Sequence, residues 1–362
     1  MIKYTLPDYP VLEDMWDILK NEKRPIIIYG MGNGADKLIA RFDKLGIEYA
    51  DIFASDGFVR GHSFHGTRVK SFSEIKTLYS DFVIVLSFAS SREEVLTLLS
   101  AMDKEHDLLI PDMPVASEEY FDKVFYNTNY SRIKAVYNLL EDDLSRDIYA
   151  ACIRYKLSGK LSYLTDSYCT TEDIYNLIGK EHKVTVDGGA YNGDTVREVL
   201  KFFENPKKIY AVEPDKRNYR KLSAFSEGYE GKTEIVPINA GLWSTDTEGS
   251  FIGSGNRNSS VSSTASFKKR EENVSLLRID NIVSEAVDYI KLDVEGAERE
   301  ALIGSHGVIS NYMPTMLISA YHKSEDIFAL AELVADKYKG YKFFIRRTLC
   351  VPAWEIALIV KT

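Results

Sequence analysis

Hydrophobic and polar positions along the chain form two separate stretches in which strand and helix patterns alternate. In the first, the apolar run IIIYG at 26–30 predicts a buried parallel strand, and a helical pattern over 35–45 ends at Gly46. The alternation continues with a strand pattern at 47–56, a turn and helix pattern at 68–79, a strand pattern at 81–90 and a helix pattern at 92–102. Residues 1–114 therefore predict a small doubly wound α/β domain, opened by a short amphipathic helix in roughly the first 20 residues.

The second stretch, residues 181–362, contains seven strand candidates and follows a helical connector at 115–180. The last two strands are separated only by LCVPAW at 349–354. A parallel crossover needs about a dozen residues, so these two strands must pair antiparallel. Alternating units completed by an antiparallel pair are the layout of the class I methyltransferase fold. We therefore expect an α/β chain in which a Rossmann-like methyltransferase domain follows a smaller Rossmann-like domain and a connector.

Composition narrows the functional classes. The chain has 362 residues and a formal net charge of −9, which argues against broad affinity for nucleic acid. The cysteines, at 152, 169 and 350, lack metal-ligand or CxxC spacing and are expected to be buried thiols. There is no signal-peptide pattern and no apolar run long enough for a membrane span, so a cytoplasmic protein is expected. A homo-oligomer is compatible with this composition.

The stretch VDGGAYNGD at 186–194 joins a predicted strand to a predicted helix through a glycine loop. Such a loop lets a ligand approach the backbone, and the helix that follows directs free N–H groups at it. Asp187 at the strand end would repel a pyrophosphate but attract the ammonium and sulfonium charges of S-adenosylmethionine. The residues expected to bind this donor are Asp187, Gly188, Gly189, Ala190, Asn192, Gly193 and Asp194.

Two later strand ends complete the predicted donor site. Glu213, in AVEPD, lies 20 residues beyond Gly193 and is placed to accept both ribose hydroxyls, with Pro214 beside it. The stretch INAGLW at 238–243 follows the third strand of the domain, where backbone and apolar groups can contact adenine. Its expected contacts are Asn239, Ala240 and Leu242.

From about residue 184 to the end, the chain resembles the FkbM family of S-adenosylmethionine-dependent methyltransferases. The resemblance runs through VDGGAYNGDT, AVEPD, INAGL, YIKLDVEGAEREAL and ISAYHKSED in the family's order and spacing. Many relatives have DVGA or DCGA where this chain has DGGA, a substitution that should still permit the turn. The resemblance implies transfer of a methyl group to a hydroxyl of a sugar, in a polysaccharide, a natural product or a sugar-nucleotide precursor.

Polar groups that follow the fourth and fifth strands are the candidate catalytic residues. Carboxyl ends of neighbouring parallel strands form the ligand crevice of an open sheet. His322 is the candidate base that takes the acceptor proton, and Asp293 could orient the imidazole or the hydroxyl while also facing the donor. The remaining acceptor-side candidates are Glu295, Ser319, Tyr321 and Lys323. Asp293, Glu295 and His322 could instead hold a divalent ion, but methyl displacement requires none, and no metal is assigned.

The first glycine loop, YGMGNGA, leaves other roles open. It reads Gly30, Gly32 and Ala35, with Asp51 or Asp56 as the acidic residue after the second strand. The loop could bind a dinucleotide and support an oxidoreductase, or the domain could recognise the acceptor or form an assembly surface. A non-catalytic donor-binding or sugar-nucleotide-binding protein is a further alternative. The Ser/Gly/Asn-rich stretch at 253–266 is expected to be a mobile loop, either a lid over the acceptor or a plain connection.

Overall fold

The described part of the chain contains two large β-sheets, with helices packed between and beside them. A computed structural model describes residues 3–362 apart from 56, 58, 60, 253–259 and 263–270. The strands are β1 (Ile26–Tyr29), β2 (Asp51–Ala54), β3 (Ser63–Phe64), β4 (Thr67–Arg68), β5 (Lys70–Ser71), β6 (Val83–Leu86), β7 (Asp107–Leu109), β8 (Val184–Gly188), β9 (Lys208–Val212), β10 (Glu234–Ile238), β11 (Gly241–Leu242), β12 (Thr247–Ile252), β13 (Ser260–Ser262), β14 (Glu271–Leu277), β15 (Tyr289–Leu292), β16 (Thr315–Ser319), β17 (Lys342–Arg347) and β18 (Ile356–Lys361). The helices are α1 (Met15–Asn21), α2 (Asn33–Leu45), α3 (Phe72–Leu78), α4 (Glu93–Glu105), α5 (Lys123–Leu139), α6 (Asp143–Ser158), α7 (Ser162–Thr165), α8 (Thr171–Ile178), α9 (Asp194–Phe202), α10 (Lys216–Glu227), α11 (Ile279–Ile282), α12 (Glu298–Ile303), α13 (His306–Tyr312) and α14 (Asp326–Lys337).

The N-terminal sheet has the predicted doubly wound character. Its strand order in the described part of the chain is β5-β2-β1-β6-β7, and every pairing in it is parallel. The run IIIY is buried at every position, as the apolar pattern predicts, and α2 ends at Gly46 with the left-handed φ of 68°. The predicted helix in the first 20 or so residues is wrong for most of its length, because only Met15–Asn21 is helical. Pro7 and Pro10 disfavour an earlier start.

The C-terminal sheet confirms the predicted class I methyltransferase layout. Among the described strands, seven pair in the order β10-β9-β8-β15-β16-β18-β17. The pairings from β10 to β16 are parallel, and β18 runs antiparallel to both β16 and β17. The order turns back on itself at β8 and β15, so the carboxyl ends of these central strands border the crevice where ligands bind in such sheets.

The helices that connect the two sheets along the chain also pack against the C-terminal sheet. Ile345 N donates to Ser145 Oγ at 3.0 Å, and the Arg346 guanidinium lies 2.6 Å from Asp142 Oδ2. One continuous apolar core contains Ile84 of the N-terminal sheet, Ile148 of α6 and Ile290 of the C-terminal sheet. This shared core fixes the N-terminal domain against the methyltransferase domain.

A small mixed sheet, which was not predicted from the sequence, is formed by strands that lie between β10 and β15 along the chain. Its order in the described residues is β11-β14-β12-β13. The predicted loop at 253–266 falls largely outside the described residues, at 253–259 and 263–266, while Ser260–Ser262 forms a strand rather than a loop. The cysteines at 152, 169 and 350 are buried thiols, as expected. In the described chain, no helix combines the length and hydrophobicity needed to cross a membrane.

Candidate active site

The glycine loop after β8 is held by an ion pair that the sequence analysis did not predict. Asp187 lies in β8 with only 1% of its side chain exposed, and its Oδ1 is 3.2 Å from Nζ of Lys291 in the neighbouring strand β15. Thr195 Oγ1 donates to the other carboxylate oxygen of Asp187, and Lys291 Nζ donates to Gly189 O at 3.1 Å. Burial alone would lower the pKa of Lys291, but the attraction of Asp187 holds that pKa above its ordinary value. Asp187 thus anchors the loop and is already neutralised from within the protein.

Glycine is required at two positions of this loop. Gly189 has a φ of 77°, and a Cβ there would lie 1.9 Å from the carbonyl oxygen of Asp293. Gly193 has a φ of 86° and is the N-cap of α9. Both conformations are costly for residues with a Cβ. The close approach brings the glycine loop after β8 directly beside the turn that carries Asp293.

Glu213 follows β9 and is buried at the base of the site. Its oxygens accept hydrogen bonds from Tyr191 N at 2.9 Å and Asp215 N at 2.8 Å. Burial raises the pKa of Glu213 to about 7 despite these two donors. Asn239 donates to the carbonyl oxygens of Glu213 and Pro214, so its amide group braces this turn.

Four ionisable side chains meet beside the carboxyl ends of β15 and β16. Nδ1 of His322 is 2.9 Å from Glu298 Oε1, and Nε2 is 3.5 Å from both Asp293 Oδ1 and Glu295 Oε2. The backbone places the histidine, because the N–H groups of Val115 and Ala116 both donate to its carbonyl oxygen, at 3.2 and 2.9 Å. Glu298 belongs to the motif YIKLDVEGAEREAL, but the motif does not reveal its contact with His322. That contact depends on how α12 meets the loop after β16.

This arrangement sets the protonation of the cluster. Burial would lower the pKa of His322, but the carboxylates of Glu298, Asp293 and Glu295 outweigh it and raise the pKa to about 10. The resting ring is therefore an imidazolium, whereas the predicted role of His322 as a base requires a neutral ring. Burial raises the pKa of Glu295 to about 8. Burial would also raise the pKa of Asp293, but Lys291 and His322 hold it below its ordinary value.

The two sides open into one cavity of about 580 Å³. This volume falls within the range of about 300–1,000 Å³ found for small-molecule sites. The predicted site residues that line it are Gly189, Asp194, Glu213, Pro214, Ala240, Leu242, Asp293, Glu295, Ser319, Tyr321 and His322. The other predicted residues are not part of this lining, and they are Asp187, Gly188, Ala190, Asn192, Gly193, Asn239 and Lys323.

Part of the cavity wall comes from segments that the sequence analysis did not connect with the site. The N-terminal domain contributes Ala89, Ser90, Ser91 and Arg92, and the connector contributes Val115. The connection between β17 and β18 contributes Thr348, Cys350, Trp354 and Glu355. These two segments are joined by backbone hydrogen bonds from Ser90 N to Val351 O at 2.7 Å and from Val351 N to Ser90 O at 3.0 Å. Contacts between residues so distant in sequence leave no local pattern by which they could be found.

Close packing against Ser87 explains the glycines at positions 30 and 34 of the first glycine loop. A Cβ on Gly30 would lie 2.6 Å from Ser87 Oγ, and one on Gly34 would lie 2.0 Å from Ser87 O. Asp51 was predicted as an acid after the second strand, but it begins β2 and pairs with Lys70 at 2.6 Å. That prediction is wrong, because the carboxylate lies at the opposite end of the strand from the loop. Asp56 lies outside the described residues.

The cavity lining fits a cationic donor better than a pyrophosphate. Its carboxyl groups outnumber its permanently cationic side chains in the described residues, and these acids are Asp194, Glu198, Glu213, Asp215, Asp293, Glu295 and Glu355. Ligand atoms of Asp293, Glu298 and His322 also lie within 4.8 Å of one another, a spacing that a metal ion could use.

The sheet order and the cleft at its carboxyl edge define a class I methyltransferase fold, the class whose members use S-adenosylmethionine. Residues 187–343 match the family model described as the methyltransferase FkbM domain. The family and the fold together imply that S-adenosylmethionine is the methyl donor.

Solved structures share the architecture. Methyltransferase FkbM from Methylobacillus flagellatus KT is similar over 99% of this chain and 94% of its own, with 17% identity and a TM-score of 0.69, which extends the shared fold to the N-terminal domain. A putative rRNA methylase from Clostridium thermocellum has 11% identity over 53% of this chain and 92% of its own, with a TM-score of 0.33. Aeropyrum pernix fibrillarin, solved with bound S-adenosyl-L-methionine, has 15% identity over 51% of this chain and 67% of its own, with a TM-score of 0.32. No curated protein matches this chain.

Proposed function

We propose that this protein is an S-adenosylmethionine-dependent O-methyltransferase that methylates a hydroxyl group of a sugar or a glycan precursor. The observation that carries the proposal is that a candidate donor-binding acid, Glu213, and a candidate proton-transfer cluster, Asp293, Glu295 and His322, line the same cavity. A protein that only stored the donor would have no need for the second set. We assign the activity to polysaccharide biosynthesis in the cytoplasm.

The donor half of the cavity is supplied by the loops after β8, β9 and β10. The Glu213 carboxylate would accept the two ribose hydroxyls, and the Asp194 and Asp293 carboxylates would attract the positive charges of the donor. When bound, S-adenosylmethionine supplies an electrophilic methyl group. Asp187 acts indirectly, by keeping Lys291 and the carbonyl of Gly189 in place.

The acceptor half combines hydroxyl groups, an aromatic ring and charged groups. Ser319, Tyr321 and Trp354 line it from the C-terminal sheet and its last connection, and Ser90 and Ser91 line it from the N-terminal domain. Hydroxyl groups and aromatic faces suit a polar ring compound such as a sugar. We assign to the N-terminal domain a part in acceptor recognition, and this lining supports that role over an independent nucleotide site at Gly30.

Calorimetric titration with S-adenosylmethionine, with NADH as the comparison ligand, tests the donor half. Transfer of a ¹⁴C-labelled methyl group to UDP-glucose, UDP-galactose, glucose and galactose tests the acceptor half. We expect saturable donor binding, no binding of NADH, and a labelled O-methyl sugar that is lost when Asp293 is replaced by Asn. Binding of NADH alone, or donor binding with no methylation of any carbohydrate, would contradict the proposal.

A further inference from the structure

The three carboxylates around His322 differ in their partners. Glu298 has 1% of its side chain exposed, accepts a hydrogen bond from Val294 N at 2.9 Å, and faces Nδ1 of His322. It therefore fixes the ring from the side away from the ligand. Asp293 faces Lys291 and His322, and Tyr321 donates to it at 3.5 Å. A carboxylate with this many cationic and hydrogen-bonding neighbours is stabilised as an anion and is a weak base.

Glu295 lacks comparable stabilisation. Among the described residues, its carboxylate has one cationic neighbour within 4.0 Å, Nε2 of His322 at 3.5 Å. Its side chain lines the cavity and is 26% exposed. Its backbone has a φ of 53°, which is left-handed and unfavourable for a residue other than glycine. Strained backbone that carries a half-buried ionisable group is characteristic of functional positions.

His322 is poorly suited to take a proton itself. Carboxylate oxygens lie within 3.5 Å of both ring nitrogens, so an N–H group on each side has a partner. A ring with two N–H groups has no lone pair to accept a further proton.

We propose that Glu295 is the catalytic base, and that His322 is a positioning residue that holds the carboxylates of Glu295 and Asp293 at the cavity. The proposal rests on O-methyl transfer as the reaction. The acceptor oxygen forms a bond to the methyl carbon as the bond from that carbon to sulfur breaks. The bonding pair stays on sulfur, which changes from sulfonium to thioether, and the hydroxyl proton moves to a Glu295 oxygen.

The ionisation of the cluster agrees with this division of roles. The pKa of Glu295 is raised to about 8, because burial and the carboxylates of Asp293, Glu298 and Glu213 together outweigh the opposing effect of His322. The pKa of Asp293 is lowered instead. Two neighbouring carboxyl groups whose pKa values are driven apart by their surroundings commonly serve different catalytic roles, and the one with the raised pKa is the proton carrier.

Glu295→Gln in the full-length protein tests the assignment, with Glu300→Gln as the matched control. Glu300 lies on α12 and is not part of the cavity lining. With labelled donor and the sugars and UDP-sugars named above, we expect Glu295→Gln to lower kcat by about 10²- to 10⁴-fold, the usual contribution of general base catalysis. Affinity for S-adenosylhomocysteine and the Tm should stay at wild-type values. A variant that keeps more than a tenth of wild-type kcat, or that loses product binding and Tm together, would overturn the assignment.

Two further measurements separate a base from a structural residue. His322→Gln removes the cation that faces Glu295, so it should move the rising limb of the kcat profile to higher pH, and an unmoved limb would contradict the positioning role.

In protein labelled with ¹³C at glutamate carboxyls and saturated with S-adenosylhomocysteine, we expect one signal that titrates near pH 8 and is missing from Glu295→Gln. A Glu295 signal that titrates below pH 5 would overturn the assignment, and this measurement does not require an acceptor. A wild-type protein that methylates none of these carbohydrates would instead contradict the proposed function.

Discussion

Replacing Lys291 by methionine tests whether the buried pair with Asp187 holds the donor loop. The two charged groups are 3.2 Å apart, and their side chains are 10% and 1% exposed. At this separation, Coulomb attraction amounts to about 5 kcal/mol for an effective dielectric constant of about 20, from 332/(20 × 3.2). Removing one partner of a buried pair leaves the other charge without compensation and typically costs about 3–5 kcal/mol. We expect Lys291→Met to lower the free energy of unfolding by this amount at pH 7.

Urea unfolding followed by tryptophan fluorescence and circular dichroism measures the effect. Lys342→Met is the matched control, because Lys342 also lies in a strand of the same sheet but is exposed, and surface changes are usually within about 0.5 kcal/mol. Asp187→Asn and the double variant complete a cycle in which the double change should cost less than the sum of the single changes. A loss below about 1 kcal/mol for Lys291→Met, or strictly additive effects, would refute the reasoning.

Three other changes test separate parts of the site. Glu213→Gln should weaken binding of S-adenosylhomocysteine by about 10- to 100-fold in calorimetry, because hydrogen bonds to an ionised acceptor are the stronger ones; unchanged affinity would exclude Glu213 as the ribose ligand. Gly189→Ala should lower the free energy of unfolding by at least about 2 kcal/mol, because its Cβ would lie 1.9 Å from Asp293 O at a φ of 77°; a Tm within 1 °C of wild type by scanning calorimetry would contradict this. The pKa of His322 is about 10 in the folded protein against 6.5 ordinarily, so its stabilisation is complete below pH 6.5 and is lost as the pH rises through 10. Wild type should therefore lose more stability than His322→Gln between pH 7 and pH 10 in urea titrations, and equal losses would argue against a charged ring.

The order of the elements was predictable because each depends on neighbours in sequence. Apolar runs such as IIIY and VTVDG mark buried strands, and Gly46 and Gly193 mark the turns beside the helices. The short connection at 349–354 was enough to require the antiparallel pair at the end. The small sheet around β12 was missed, since its strands are interrupted by polar segments that carry no clear periodicity.

The sequence by itself determined the two-sheet α/β architecture, the glycine loop after β8, and the collection of Glu213, Asp293 and His322 at one edge of a sheet. It could do so because the ends of parallel strands share an edge whatever the exact packing. Only the tertiary structure decided that Lys291 neutralises Asp187, that Glu298 holds His322 as an imidazolium, and that Ser90 and its neighbours close the cavity. Charge states and cavity walls depend on distances of a few ångströms between segments far apart in the chain, and such distances are set by packing rather than by local pattern.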